Sequence, residues 1–293
     1  MNEIYRTVGI SKQGFHKWLN HWMLREEEKQ QLLPIIAQIR QNHPKMSSRL
    51  LYKKIMPQTM GRDRFEEFCH SNGFKIIIKK SFIKTTESNH IKCFPNLILD
   101  LDELTGINQL WVSDITYYEI SQRFYYLTFV MDIFNREIVG YNASKTLRTV
   151  DTTIPSLQMA IKRRKLLPES GLIHHSDCGG QYYCKDFLKL TDEYGIKNSM
   201  AKSVYENPFA ERINGTIKND YLKYYSPQNF EELTKLLTKA VKLYNEDRPH
   251  IALKGHSPKE FLAAIKNGLL TKSWDINKKK KVTKKEKIII TVK

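Results

Sequence analysis

Apolar residues keep a helical spacing through the first third of the chain and a strand spacing in its middle. Phe15, Trp18 and Leu19 fall on one helical face behind Ser11, a residue type that caps helix N-termini by accepting a backbone N–H. The turn Val8-Gly9-Ile10-Ser11 would join this helix to a preceding one of only about seven residues, a truncated helix-turn-helix-like pattern. A second helical unit is predicted from the stripe Leu32, Ile35, Ile36 and Ile39, followed by the basic run Arg49-Leu50-Leu51-Tyr52-Lys53-Lys54. Phe65, Phe68 and Cys69 then share a face and leave Arg62 and Arg64 to solvent or to phosphate. Lys75 to Ser88 predicts a strand and then a linker.

From Trp111 the period becomes two. Val112, Asp114 and Thr116 alternate with Trp111, Ser113 and Ile115, as expected of a strand with two distinct faces. Phe124 to Ile133 is nearly continuous apolar and predicts a buried central strand, and Ile138 to Tyr141 a third. Helical spacing returns at Ile154, Leu157, Ala160 and Ile161. Leu172 to Ser176 predicts a fourth strand ending at Asp177; Phe187, Leu188 and Tyr194 predict a helix closed by Gly195. Phe230 to Tyr244 is a last amphipathic helix, stopping before Arg248-Pro249. Three strands, helix, strand, helix is the order of a ribonuclease-H-like α/β fold, a mixed sheet flanked by helices, here behind an all-α region. The expected organisation is a helical region over 1–90, a linker over 91–107, the α/β core over 108–266 and a basic tail over 267–293.

Charge adds a partner to this picture. Lys and Arg number 48 against 31 Asp and Glu, a net +17, which draws polyanions and makes their binding steeply salt-dependent. Nucleic acid is the expected ligand, with a merely basic, soluble protein as the plain alternative. The tail from Lys272 to Lys293 carries nine Lys against Asp275 and Glu286, a net +7, and predicts a polyanion-binding extension. A hydrophobic fraction of 41% excludes a wholly disordered chain. No run of about 18 apolar residues suggests a membrane span, and the start of the chain lacks the apolar core of a signal peptide. Cys69, Cys93, Cys178 and Cys184 match no zinc spacing and are expected as reduced cytosolic thiols.

Three acids carry candidate chemistry. Aspartate is depleted in strands and costly when buried alone, so Asp114 requires a cation, a hydrogen-bond partner or a solvated face. Asp177, before Cys178-Gly179-Gly180, reads equally as a turn aspartate, yet it stands at a strand end, where α/β sheets place their ligand sites. Glu211 follows Asn207, a good N-cap, and Pro208, at home in the first helical position; the helix dipole there favours an ionised carboxylate. A solvated helix glutamate is the plain alternative. Converging, the three would bind two divalent ions, which activate a water or a 3′-hydroxyl and stabilise the leaving oxygen of a phosphodiester. Hard oxygen ligands suit Mg²⁺ or Mn²⁺ over zinc. Asn214 and Lys218, three and seven residues beyond Glu211, share its face and are candidates to hold a DNA backbone.

Taken together, the motifs resemble the DDE transposases of bacterial insertion sequences, in particular the second-frame proteins with a retroviral-integrase-like catalytic core. Asn108 to Tyr117 is similar to the block of the first Asp, and His175-Ser176-Asp177 with Gly180-Gln181-Tyr182 to that of the second. Ser199-Met200, Glu206-Asn207 and Ala210-Glu211-Arg212 are similar to the third, and Tyr244-Asn245, Arg248-Pro249-His250 and Ser257-Pro258 to the closing signature. His43-Pro44 with Arg49, and Lys84-Thr85-Thr86, resemble the N-terminal DNA-binding segment. The resemblance implies binding of double-stranded DNA, as element ends and target, and 3′-end cleavage and strand transfer with two Mg²⁺ or Mn²⁺ ions at Asp114, Asp177 and Glu211. It further implies DNA contacts from Arg49, Arg62, Arg64, Arg212, Asn214 and Lys218, a homo-oligomer on DNA, a partner from an upstream reading frame and a place in the bacterial cytoplasm at the nucleoid. One departure is the loop Ala201 to Tyr205, shorter than is usual and without glycine, which is expected to slow strand transfer. A nuclease of the same fold and a catalytically silent DNA-binding regulator are the rival readings.

Overall fold

A computed structural model of the chain describes Tyr5, Thr7 and residues 9–77, 94–101, 103–201, 207–270 and 274–275. The chain divides into two compact units, Met1–Ser81 and Phe82–Lys293.

In the first unit, α1 (Lys12–Asn42) is capped by the Ser11 hydroxyl, which accepts from Gly14 N at 3.0 Å. The two helical patterns expected before residue 42 are therefore one helix of 31 residues. Pro34 removes the bond to the Gln30 carbonyl but does not split it, because both residues are exposed and the carbonyl is left open to solvent. The expected apolar stripe is also narrower, since Ile35 is exposed while Leu32 and Ile36 are buried with Ile39 against them. These residues pack on Leu51 of α2 (Ser48–Ile55) and on Phe65, Phe68 and Cys69 of α3 (Arg62–Ser71). Arg40 ties the ends together by donating to the carbonyls of Pro44 and Phe74. The short helix expected ahead of Val8 and the linker beyond Ile77 lie largely outside the described residues; Lys75–Ile77 form no strand.

The second unit is built on β1 (Leu110–Ile120), β2 (Arg123–Asp132), β3 (Ile138–Ser144), α4 (Thr153–Arg164), β4 (Ile173–Ser176), α5 (Lys185–Glu193) and β5 (Lys197–Met200). The sheet order is β3-β2-β1-β4-β5. β1, β2 and β3 are antiparallel neighbours, while β4 runs parallel to β1 and β5 parallel to β4. The fifth strand was not expected from the sequence. After it come α6 (Pro208–Gly215), a π-helical stretch over Thr216–Leu222, α7 (Phe230–Glu246) and α8 (Pro258–Lys266). The alternation along β1 sorts the two cores. Val112 joins Phe129 and Met131 under Ile213, Tyr221, Leu237 and Val241, whereas Trp111 joins Val130 and Val139 under Leu157, Ile161 and Phe187. Gly140 lets α4 lie directly on β3, since a Cβ there would stand 2.0 Å from the Ser156 carbonyl oxygen. A two-residue ladder pairs Glu103–Leu104 with Trp274–Asp275; the lysine-rich remainder of the tail is outside the described residues. No described helix is long and apolar enough to cross a membrane.

Candidate active site

The register of the parallel pair sets the first two acids. Leu110 is level with Ile173, Trp111 with His174 and Val112 with His175; Asp114 stands two residues past the last pair on β1, and Asp177 two residues past it, just beyond the end of β4. Asp114 is half-buried and lies on the α6 face of the sheet. Its Oδ1 accepts from Ile115 N at 2.9 Å and its Oδ2 from Asn214 Nδ2 at 2.7 Å. Asp177 is exposed just past the end of β4, and its Oδ1 accepts from Gly179 N at 3.1 Å. A Cβ on Gly179 would stand 3.0 Å from that same oxygen, so glycine leaves the carboxylate its room. Cys178 Sγ donates to the Ala201 carbonyl and links this turn to the end of β5.

Helix α6 brings up the third acid. Glu211 and Asn214 are one turn apart, so the helix face whose amide grips Asp114 also carries Glu211. The electrostatics are consistent with three acids sharing a neighbourhood. Burial pushes the Asp114 carboxyl up to about 7, the charge of Asp177 and then of Glu211 adds to the rise, and the bonds from Ile115 N and Asn214 oppose it. Partial loss of water raises Glu211 as well. Among the described residues, no three His, Cys, Asp or Glu side chains are gathered tightly enough to grip one ion. In donor chemistry, the set suits a hard divalent cation: three carboxylates whose mutual repulsion, visible at Asp114, a cation would relieve.

The N-terminus of α6 differs from expectation. Asn207 occupies the N-cap position, but its side chain makes no cap bond; its Nδ2 instead donates to the Ser113 carbonyl at 3.0 Å. Asn207 thus fastens the start of α6 to the residue before Asp114. On the other face of β1, the Ser113 hydroxyl and the buried Tyr182 hydroxyl lie 2.9 Å apart, which links the Gly180-Gln181-Tyr182 motif to the same strand position. Ser199 of β5 accepts from Leu97 N and bonds His175 Nδ1 at 2.9 Å.

The closing signature is scaffolding for the helix that carries Glu211. Arg248 is buried and bonds Asp220 at 2.8 Å, within the π-helical continuation of α6. Asn245 accepts from Ile138 N and donates to Ile138 O, each at 2.9 Å, docking α7 on the first residue of β3. His250 stacks edge-on against Tyr244 at 4.7 Å, and burial followed by the charge of Arg248 lowers it to about 3. Ser257 and Glu260 form a reciprocal cap on α8.

The other candidate residues fall in different places. Lys218 donates to the Thr116 hydroxyl at 2.8 Å, on the Asp114 face of β1, and burial lowers its ammonium. Asn214 is buried on Asp114, and Arg212 is exposed beside Glu211. Arg49, Arg62 and Arg64 belong to the first unit. Arg49 pairs with Glu66 at 2.9 Å, Arg62 with Asp63 at 2.7 Å, and Arg64 is exposed. Sequence reasoning passed over Asp132, which is fully buried at the end of β2. It accepts from Asn108 N and Phe134 N and faces Arg164 at 3.5 Å; burial raises it to about 6, so it braces the turn into β3. The loop before α6, Lys202–Glu206, lies outside the described residues.

A mixed sheet in the order β3-β2-β1-β4-β5, antiparallel over its first three strands and parallel thereafter, is a ribonuclease-H-like core. Two integrase core domain models match the chain, one over residues 105–204 and the other over 194–258. The insertion element IS600 uncharacterized 31 kDa protein of Shigella sonnei is 30% identical over 265 residues, 87% of this chain and 96% of that protein. The transposase for insertion sequence element IS629 of Shigella sonnei is 34% identical over 55% of each chain. Among solved structures, the HTLV-2 integrase catalytic core domain in complex with magnesium aligns over 53% of this chain and 95% of its own, at 23% identity and a TM-score of 0.43. The chain belongs to the integrase-core transposase family of bacterial insertion sequences.

Proposed function

We propose that this chain binds the ends of an insertion sequence in double-stranded DNA and carries out divalent-metal-dependent 3′-end cleavage and strand transfer. The observation that carries the reading is that Asp114 and Asp177 each stand two residues past the last pair of the β1–β4 ladder, with the Asn214 amide joining the Glu211 helix to Asp114. Asp114, Asp177 and Glu211 are the residues that would hold two Mg²⁺ or Mn²⁺ ions. Bound there, the ions supply an activated nucleophile and stabilise the leaving oxygen. Asn214 orients the Asp114 carboxylate and favours its ionised form. Exposed Arg212, and Lys218 once released from Thr116, offer cations to the phosphates next to the reacting one, while Arg49, Arg62 and Arg64 add sequence-independent affinity. Assembly as a homo-oligomer on DNA, with an upstream-frame protein as a further partner, belongs to the same reading.

The test is an end-joining assay with a labelled element-end duplex, plasmid target and Mg²⁺. Joined products are expected from the parent chain. Asp114→Asn, Asp177→Asn and Glu211→Gln should each abolish nicking and joining while duplex-end binding in EDTA persists. A variant that joins at a near-normal rate removes its residue from the metal-holding set. Nicking without any joining by the parent chain would instead make it a nuclease.

A further inference from the structure

The β1–β2 hairpin reaches beyond the rest of the sheet, and its two faces are unlike. Past Val112, β1 pairs with β2 alone among the described residues. On the α6 face the hairpin is covered. Tyr118 and Ile120 are buried, and the Tyr118 hydroxyl donates to the Leu222 carbonyl at 3.1 Å. The opposite face carries Tyr117, Tyr126 and Phe124. Tyr117 and Tyr126 are direct cross-strand partners with ring centroids 5.3 Å apart, and Phe124, diagonal to Tyr117, lies 6.3 Å from it. Phe124 is 55% exposed, and both tyrosines are partly exposed. A hairpin face turned to water is ordinarily polar. Cross-strand aromatic pairs do steady a hairpin, but that role requires no outermost ring left in solvent.

The position of this aromatic cluster points to its ligand. Tyr117 is three residues beyond Asp114 on the same strand, about 10 Å along it and on the opposite face, so Asp177 rather than Asp114 is the carboxylate it neighbours. Asp177 is near enough to affect the Tyr117 phenol, which is raised first by burial, then by Tyr126, then by the charge of Asp177. Tyr117 meets Phe124 and Tyr126 each edge to face, so neither pair is stacked ring on ring. Glu119, exposed opposite Phe124 on the same face, supplies a hydrogen-bond acceptor, while Arg123, the partner of Ile120, belongs to the other face of the hairpin tip. The net charge of +17 draws polyanions to the chain as a whole.

We infer that Tyr117, Tyr126 and Phe124 form a stacking platform for unpaired bases of a DNA strand whose backbone passes Asp177. The inference rests on the DNA-processing reading above and adds to it a preference for frayed or single-stranded ends. Aromatic rings stack on any base, so the platform holds a melted end without reading its sequence. Glu119, level with Phe124, is placed to accept from an exocyclic amine.

The experiment uses the full chain in EDTA, so that no chemistry intervenes and its outcome is separate from that of the carboxylate variants. Binding is followed by anisotropy on a blunt duplex and on the same duplex with a 3′ single-stranded overhang containing 2-aminopurine. The parent chain should prefer the overhang and change the aminopurine emission. Phe124→Ala and Tyr117→Leu should each weaken overhang binding roughly 5- to 150-fold and leave blunt-duplex binding unchanged, whereas Phe124→Tyr should retain it. Phe124 is exposed, so its replacement does not threaten folding, and thermal melts check each variant. Equal affinities of the parent chain and Phe124→Ala for the overhang would overturn the inference. So would a loss that is the same on blunt duplex, or a change confined to self-association in sedimentation, which would assign the face to a second copy.

Discussion

The Asn214 amide on α6 holds the Asp114 carboxylate on β1 at 2.7 Å, across 100 residues of sequence. The bond stabilises the ionised form of an acid that burial and two neighbouring acids push toward neutrality. Asn214→Ala removes that donor, so Asp114 holds its proton to higher pH. A hydrogen bond to a charged group is worth about 1.5–3 kcal/mol, so the acid limb of the end-joining rate should move up by roughly one unit or more. An unchanged midpoint in the pH–rate profile would show that Asn214 does not tune this carboxylate.

Asp114→Asn should make the metal-free protein more stable. The folded carboxyl titrates at about 7 against an ordinary 3.8, so between those values the folded state binds more protons than the unfolded state. Stability from this group is therefore present below about pH 4 and lost as pH rises through about 7. The amide variant escapes that loss, a gain on the order of 2 kcal/mol at pH 8 and close to nothing at pH 4. Melting temperatures of both proteins across that range measure it. A variant that is less stable than the parent at pH 8 would contradict the argument.

Arg248→Ala should destabilise by about 2–4 kcal/mol, because it leaves Asp220 without the cation beside it in a mostly buried setting. The same change should slow joining, since Asp220 lies in the continuation of the helix that bears Glu211. Urea unfolding reads the first effect. A loss under about 0.5 kcal/mol, the range of an ordinary surface change, would mean the pair does not anchor that helix.

Gly140→Ala should cost about 3 kcal/mol or more, as severe overpacking does. The added methyl would meet the backbone oxygen of Ser156 at 2.0 Å, and no flexible side chain is there to yield. If the variant melts with the parent, α4 and β3 do not approach as closely as described.

Much of this architecture is readable from residue pattern, and the failures have physical causes. β1 and β2 announce themselves because one alternates and the other is apolar throughout, as sheet position demands. β5 escaped because Lys-Asn-Ser-Met has neither alternation nor strand propensity; its pairing with β4 decides it. α1 was divided in two because residues 25–31, Arg-Glu-Glu-Glu-Lys-Gln-Gln, hold no apolar position to join the stripe before them to the stripe after. Asn207 was legible as a helix start, but not as the ligand of a carbonyl 94 residues away. Asp114, Asp177 and Glu211 were each legible as candidates with plain alternatives. Their common neighbourhood follows from register and helical phase, which only tertiary structure supplies.

Asn245 has a role beyond docking α7. β3 is the outer strand of the sheet, and its first residue has its N–H and C=O both engaged by one side-chain amide. The amide imitates one peptide unit of a sixth strand that the fold never builds. An open strand margin invites a neighbouring chain to add itself there, a standing hazard for any protein that gathers in several copies. At Ile138 that invitation is withdrawn by Asn245, with Arg163 on the same carbonyl, so an added strand would have to displace both.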